Sequence, residues 1–328
     1  MIPYDHTAVR PHSLPLFPAP YPGESFYSVL CRYHVRSGNI SDLYTTFQLF
    51  GYKSSLHSTL LTPFHLEMID SWVPSSSRLD SESMLHQNTA FNLYGIGCVP
   101  CEIEHIHDVI HGRQPAMSFP RQMHPKIAHH AGFLRFCPKC AEEQRKLYGE
   151  PYWQLLPQID EVEYCPRHKV RIRNSPVSLK SIAFHYHPAS SVLTPAYLSR
   201  LAEETEGRPW EFLFREEEDF FIRLSRNIDW LLQNGAACIG LENLARAYDR
   251  VSGKDRRYHI WCEISRTMVR YAFQNISGND QLYSYLKYKN PKHIGDNWYS
   301  PLIDSLRVCS HVMVMTALCG DPKTFYGL

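Results

Sequence analysis

The chain of 328 residues has no run of about eighteen uncharged apolar residues. Its own helices are therefore not expected to span a membrane. The most apolar segment, near 301–319, carries Asp304, Arg307 and His311 and reads as a core helix. An excess of charge is missing too. With 34 basic and 33 acidic side chains the net charge is +1, so no global field draws the chain to nucleic acid and only local patches could do so. The opening MIPYDHTAVRPHSLPLFPAP lacks the basic-then-apolar layout of a signal peptide, and the cytoplasm is the expected compartment. Catalytic signatures are also absent. There is no Gly-rich phosphate loop closing on Lys-Ser/Thr, no G-x-S-x-G and no H-E-x-x-H. Carboxylates are plentiful, yet no pattern gathers three of them for a two-metal centre. The chain is expected not to be an enzyme. Internal repeats and low-complexity tracts are missing as well.

What is abundant is cysteine and histidine, 10 and 18 residues. In a reducing compartment, paired thiols point to metal before disulfides. The helical period is the other strong signal. The first twenty residues are Pro-rich and read as an extended lead. Phe26, Val29, Leu30 and Tyr33 then fall on one helical face, with Gly38 as a stop. A second helix is expected over 41–50, capped by Ser41 and ended by Gly51. A third should start at Thr62-Pro63 and turn Phe64, Met68, Ile69 and Trp72 inward. A fourth should cover roughly 80–92. Residues 96–135 show no clear period, and 176–200 read as a linker with short extended pieces. Beyond 200 the period returns. Phe221, Leu224, Ile228, Leu231 and Leu232 mark one helix, ended by Gly235. Leu241, Leu244, Tyr248 and Val251 mark the next, ended by Gly253. Further helices are expected at 260–271, at 279–288 and from Ser300-Pro301. The fold class is thus mainly α, a multi-domain helical protein. Its expected parts are an extended lead at 1–20, a helical domain at 21–95, a finger region at 96–178 and a C-terminal helical domain at 179–328.

The central motif is Cys137-x2-Cys140-x24-Cys165-x2-His168. Two ligands three positions apart share one knuckle, and two knuckles complete a tetrahedron with no open position. Pro138 and Pro166 hold the same place in each knuckle. The pattern predicts one structural zinc in a zinc-finger or zinc-ribbon module of CCCH type. Lys139, Arg167 and Lys169 would offset its thiolate charge. A second zinc is considered at Cys98, Cys101, His107 and His111, where the two histidines lie one helical turn apart. The alternative is a reduced Cys pair on a His-rich loop.

Several stretches together resemble the TniQ/TnsD family, the target selectors of Tn-seven-type transposons. FPAPYPGESFYSVLCRYHVRSGN is similar to the family's Pro-rich lead and P-x-x-E-x-x-x-S-x-x-x-R helix, here Pro22 (one place off), Glu24, Ser28 and Arg32. NTAFNLYG at 88–95 is similar to its His-Thr-x-x-Pro-x-Tyr segment, with Asn88 and Asn92 in place of His and Pro. The most specific match runs from FCPKC to YCPRH, with Gly149, Tyr152 and Trp153 between the knuckles. SPLIDSLRVCSHVMVMTAL at 300–318 is similar to a late family helix. The resemblance covers about 17–320. It implies a non-catalytic target-site selector that binds double-stranded attachment-site DNA and recruits a TnsC-type AAA+ ATPase and, through it, the transposase. The alternative it implies is the family's other mode, an adaptor docked on a CRISPR Cascade guide-RNA complex. Homodimers occur among short members. A zinc-containing transcription regulator is a third reading.

Charge is segregated in the second half. Residues 200–220 hold eight acids and three bases, and 246–292 hold ten bases and four acids. Ordinary solvated faces are the plain explanation. For a DNA reader, Arg256, Arg257, Arg266, Arg270, Lys287, Lys289 and Lys292 would form a basic helix-turn-helix-like face. Arg171 and Arg173, alternating on the strand that leaves the finger, would contact phosphate.

Overall fold

In this computed structural model, residues 14, 16–73, 79–114, 132–205, 215–251 and 308–328 are described. Local sequence signals set the first two helices. Ser25 caps α1 (Phe26–Ser37) by accepting from the amide of Ser28, and Gly38 ends it in the left-handed conformation. Phe26, Val29, Leu30 and Tyr33 are all buried, as their spacing predicts. Ser41 caps α2 (Asp42–Phe50) by accepting from Tyr44, and Gly51 ends it.

The third helix departs from expectation. Thr62 does not cap it; its hydroxyl donates backwards to the Ser58 carbonyl. His65 then adopts a left-handed conformation with φ 70°. Its buried ring stacks on Phe50 at 4.1 Å and meets Ser54 Oγ at 2.6 Å. Helix therefore begins only after it, as a 3-10 turn at Leu66–Met68 leading into α3 (Ile69–Trp72). The fourth expected helix is two. α4 (Ser81–Asn88), capped by Asp80, stops where Thr89 becomes extended, and α5 (Phe91–Tyr94) follows. α6 (Pro100–Ile110) lies in the stretch that shows no period. Pro100 takes the first helical position and the Glu102 carboxylate accepts from the Val99 amide at 2.9 Å, a start signal placed among Gly and His residues.

Next come β1 (Phe133–Phe136), α7 (Pro138–Tyr148) and β2 (Arg173–Ser178), the strands pairing antiparallel. The segment read as a linker holds α8 (Ala189–Val192) and α9 (Pro195–Thr205). The amide of Tyr197 donates to Thr194 Oγ1, a cap with Pro at the next position. α10 (Arg215–Asn234), α11 (Leu241–Val251), α12 (Val308–Cys319) and α13 (Pro322–Tyr326) complete the described chain, which is mainly helical. The helices expected at 260–271 and 279–288, and the start at Ser300-Pro301, lie outside the described residues.

Among the described residues the main apolar cluster reaches from Leu14 to Tyr326. Gly235 shows how tightly its parts meet. A Cβ there would lie 2.9 Å from the Asn92 carbonyl of α5, so α10 can end against α5 only with glycine. Asn92 spans the same contact, donating to the carbonyls of Leu232 at 2.8 Å and His86 at 3.1 Å. In α12, buried His311 meets the Tyr248 hydroxyl at 2.8 Å, and burial holds its ring down to about 3, hence neutral.

The first helix is bolted to the Glu150–Trp153 segment by a polar joint. Glu24 is fully buried and accepts from Arg32 at 2.7 Å, Ser28 Oγ at 2.8 Å and the Tyr21 amide at 2.8 Å. Ser28 Oγ in turn accepts from the Trp153 amide at 3.0 Å, and the Ser25 amide donates to the Trp153 carbonyl at 3.0 Å. Arg32 continues to Glu150 at 3.1 Å and lies over the Tyr21 ring at 3.6 Å. Asn88 donates to the Glu24 carbonyl at 2.8 Å. Positions 128 residues apart in sequence thus share one hydrogen-bond network.

Burial pushes the Glu24 carboxyl up to about 7 from its ordinary 4.5, against the opposing pull of Arg32. Its contribution to stability is thus fully present below about pH 4.5 and is lost as pH rises to about 7. Between these limits, wild type should lose about 2–3 kcal/mol relative to Glu24→Gln in urea unfolding. Parallel stability curves for the two proteins would contradict this assignment.

Candidate metal centre

β1 delivers Cys137 to the start of α7, where its Sγ accepts from the Cys140 amide at 3.5 Å. Pro138 is the first helical residue, so the first knuckle is a helix start. The second is a tight hairpin turn. The Cys165 amide donates to the Val170 carbonyl at 2.8 Å, and the Lys169 amide donates back to the Cys165 carbonyl at 2.8 Å. Lys169 adopts φ 54° to close it, and Tyr164 bridges to Arg171. Two knuckles with one sequence pattern are therefore built from different local structures.

They nevertheless bring all four side chains together. Cys137, Cys140 and Cys165 are buried, and His168 is half-buried. His168 Nδ1 lies 3.6, 3.4 and 3.5 Å from the three sulfurs, and Cys140 Sγ lies 3.7 Å from Cys165 Sγ. Metal bonds of ~2.3 Å to sulfur and ~2.0 Å to nitrogen give tetrahedral edges of ~3.8 Å between sulfurs and ~3.5 Å from sulfur to nitrogen. The cluster could hold a metal ion with no change in shape. Without a cation three crowded thiols cannot all ionise. Hydrogen bonds from Cys137 and Cys140 hold the Cys165 thiol down, while those Cys140 makes to Cys137 and Cys165, with burial, push its own thiol up. A divalent ion removes that conflict by favouring three thiolates.

Two supporting residues escape sequence reading. Glu143 Oε1 meets His168 Nε2 at 2.9 Å, and Oε2 pairs with Arg167 at 2.6 Å. That bond to His168 holds its carboxyl below the usual range and leaves Nδ1 aimed at the sulfurs. Glu143 sits three residues after Cys140 on α7, a spacing that could have flagged it. Arg135 is buried and its guanidinium donates to the carbonyls of Ile159 at 3.0 Å, Asp160 at 3.2 Å and Val162 at 2.5 Å. It fastens the turn before the second knuckle to β1. A lone Arg on a strand gives no such signal.

The second quartet is not brought together. Cys98 is buried with its Sγ on the Tyr94 carbonyl, and Cys101 is exposed on the first turn of α6. His107 and His111 meet Glu82 of α4 instead. Pro100 starts α6 between the two cysteines and turns them apart. On the exit strand Arg171 is exposed and near the Tyr164 ring, and Arg173 is half-buried at the start of β2. Arg256, Arg257, Arg266, Arg270, Lys287, Lys289 and Lys292 lie outside the described residues.

The family model TniQ matches residues 15–172. Over that span, just under half of the chain, the sequence is similar to the TniQ family. The transposon Tn7 transposition protein TnsD of Escherichia coli is 27% identical over 154 residues, which cover 46% of this chain and 30% of that relative. The chain thus matches under a third of the length of the relative. The TniQ span includes the four clustered ligands, Glu143, and both halves of the Glu24–Trp153 joint. Asn88 and Asn92 are both engaged in hydrogen bonds that hold α4 and α5 in place.

Replacing Glu143 by Gln should weaken metal retention about 10- to 100-fold in a chelator competition on folded protein. Unchanged retention would remove Glu143 from the centre.

Proposed function

We propose that this protein is a target-site selector in DNA transposition. It binds target DNA and recruits a TnsC-type AAA+ ATPase that brings the transposase, with no catalytic step of its own. The TniQ match over 15–172 carries this reading, supported by the TnsD relative's printed role in transposition. The four clustered side chains hold one structural zinc, for which three thiolates and one imidazole in a closed tetrahedron are a suitable donor set. In this reading the zinc module at 96–178 links the helical domain at 21–95 to a helix-turn-helix-like domain at 179–328.

Two surfaces support the binding roles. Arg171 and Arg173 leave the finger beside exposed Lys169, a local basic edge on a chain with no net field. Among the described residues, α2 also shows Leu43, Tyr44 and Phe47 exposed by 49, 62 and 42%, next to fully exposed Ile40. Four large apolar side chains at helical spacing suit a protein partner. This patch is the recruitment surface for the ATPase. It also favours, as the second reading, docking on a Cascade-type guide-RNA complex.

The test is selection of full-length protein against fragmented host DNA, washed at low and then physiological salt. One enriched site should survive. Arg171→Ala with Arg173→Ala should lower the log–log salt slope by about two. Tyr44→Ser with Phe47→Ser should lose the ATPase and keep the DNA. Diffuse binding that salt removes, with ATPase binding intact, would favour the guide-complex adaptor. Binding to neither DNA nor ATPase would contradict both readings.

A further inference from the structure

Away from the cysteine centre, α4 and α6 each place two ionisable side chains one turn apart, Glu82 with His86 and His107 with His111. The three imidazoles converge on the Glu82 carboxylate. Glu82 Oε2 lies 3.3 Å from His107 Nδ1 and 3.4 Å from His111 Nε2, and Oε1 lies 3.4 Å from His86 Nε2. Ligand atoms of Glu82, His107 and His111 all fall within 4.8 Å of one another. Charge-assisted hydrogen bonds between nitrogen and carboxylate run ~2.7–2.9 Å, so these contacts are longer than that optimum, although His107 Nδ1 is still within hydrogen-bond reach of Glu82. Ligands ~2.0–2.2 Å from a shared ion have tetrahedral edges of ~3.3–3.6 Å. The two contacts to Glu82 Oε2 fall in that range.

The rings are also held in place. His107 and His86 both pack edge-on against Phe91, at 5.8 and 5.3 Å between centroids. The His111 amide donates to the His107 carbonyl at 3.2 Å, which continues the helical turn and keeps both imidazoles on one face. Asn92 orients His86. Its amide nitrogen donates to the Leu232 and His86 carbonyls, so its oxygen faces His86 Nδ1 at 2.6 Å and the proton sits on that nitrogen. His86 Nε2 is left against Glu82.

We propose that Glu82, His107 and His111 form a second divalent transition-metal site, with Zn2+ the fitting ion. Two imidazoles and one carboxylate leave a fourth position open to water, unlike the closed cysteine centre. The ion cross-links α4 to α6. Cys98 and Cys101 take no part.

The test is a Zn2+ titration of the full chain already loaded at its cysteine centre, followed by calorimetry and repeated with Co2+. One further equivalent should bind. Glu82→Gln, and separately His107→Ala with His111→Ala, should each weaken it at least tenfold while leaving helical circular dichroism and the first equivalent unchanged. Cys98→Ser with Cys101→Ser should leave it intact. Co2+ in this site should show visible ligand-field bands without adding thiolate charge-transfer absorption. The proposal is overturned by the absence of a further equivalent, by one that survives the Glu and His changes, or by one that disappears with the cysteines.

Discussion

Glu24 is the constraint on which the rest of the TniQ span depends. A fully buried carboxyl is costly unless every oxygen is satisfied. Here Arg32, Ser28 and the Tyr21 amide satisfy it. Meeting that need fixes the face α1 presents, and that face receives the Trp153 amide and carbonyl. Trp153 is itself fully buried, with its indole donating to the His187 carbonyl at 2.7 Å. Tyr27 extends the same joint through its hydroxyl to His185 and His187. A network of this kind adds specificity of docking beyond what apolar packing alone would give.

The cysteine centre does the complementary work at the other end of the finger. Among the described residues its sheet has two short strands, too little to bury a core of its own. Two knuckles of unlike structure are held 24 residues apart in sequence by four ligands, with Arg135 fastening the intervening turn and Glu143 aiming the imidazole. Metal binding to such a segment is part of its folding free energy. The Tyr152-Trp153 segment lies between the knuckles and is hydrogen-bonded to α1.

Parts of this were legible in the sequence because they are local. The cap Ser41, the stops Gly38 and Gly51, and the ligand quartet all follow from spacing within a few residues or from a repeated pattern. Glu24, Ser28 and Arg32 were legible as a pattern, but their partner in the finger was not, since nothing local links position 28 to 153. The start of α6 was missed because Pro100 and Glu102 lie among Gly and His residues that mimic a loop. Thr62-Pro63 misled in the opposite direction, because His65 found a better place in the left-handed region against Phe50. His107 and His111 were correctly seen to share a face. Their neighbour is Glu82, from another helix, and not the nearby cysteines.

The central claim is that the metal-ordered finger and the first helix form one cooperative unit through the Glu24–Trp153 joint. Amide hydrogen exchange on the full chain, with and without a chelator that empties the cysteine centre, tests it most directly. The account predicts that chelation speeds exchange across 133–178 and also at the Ser25, Ser28 and Val29 amides of α1, while α11 keeps its protection. Faster exchange confined to the finger, with α1 unchanged, would contradict it.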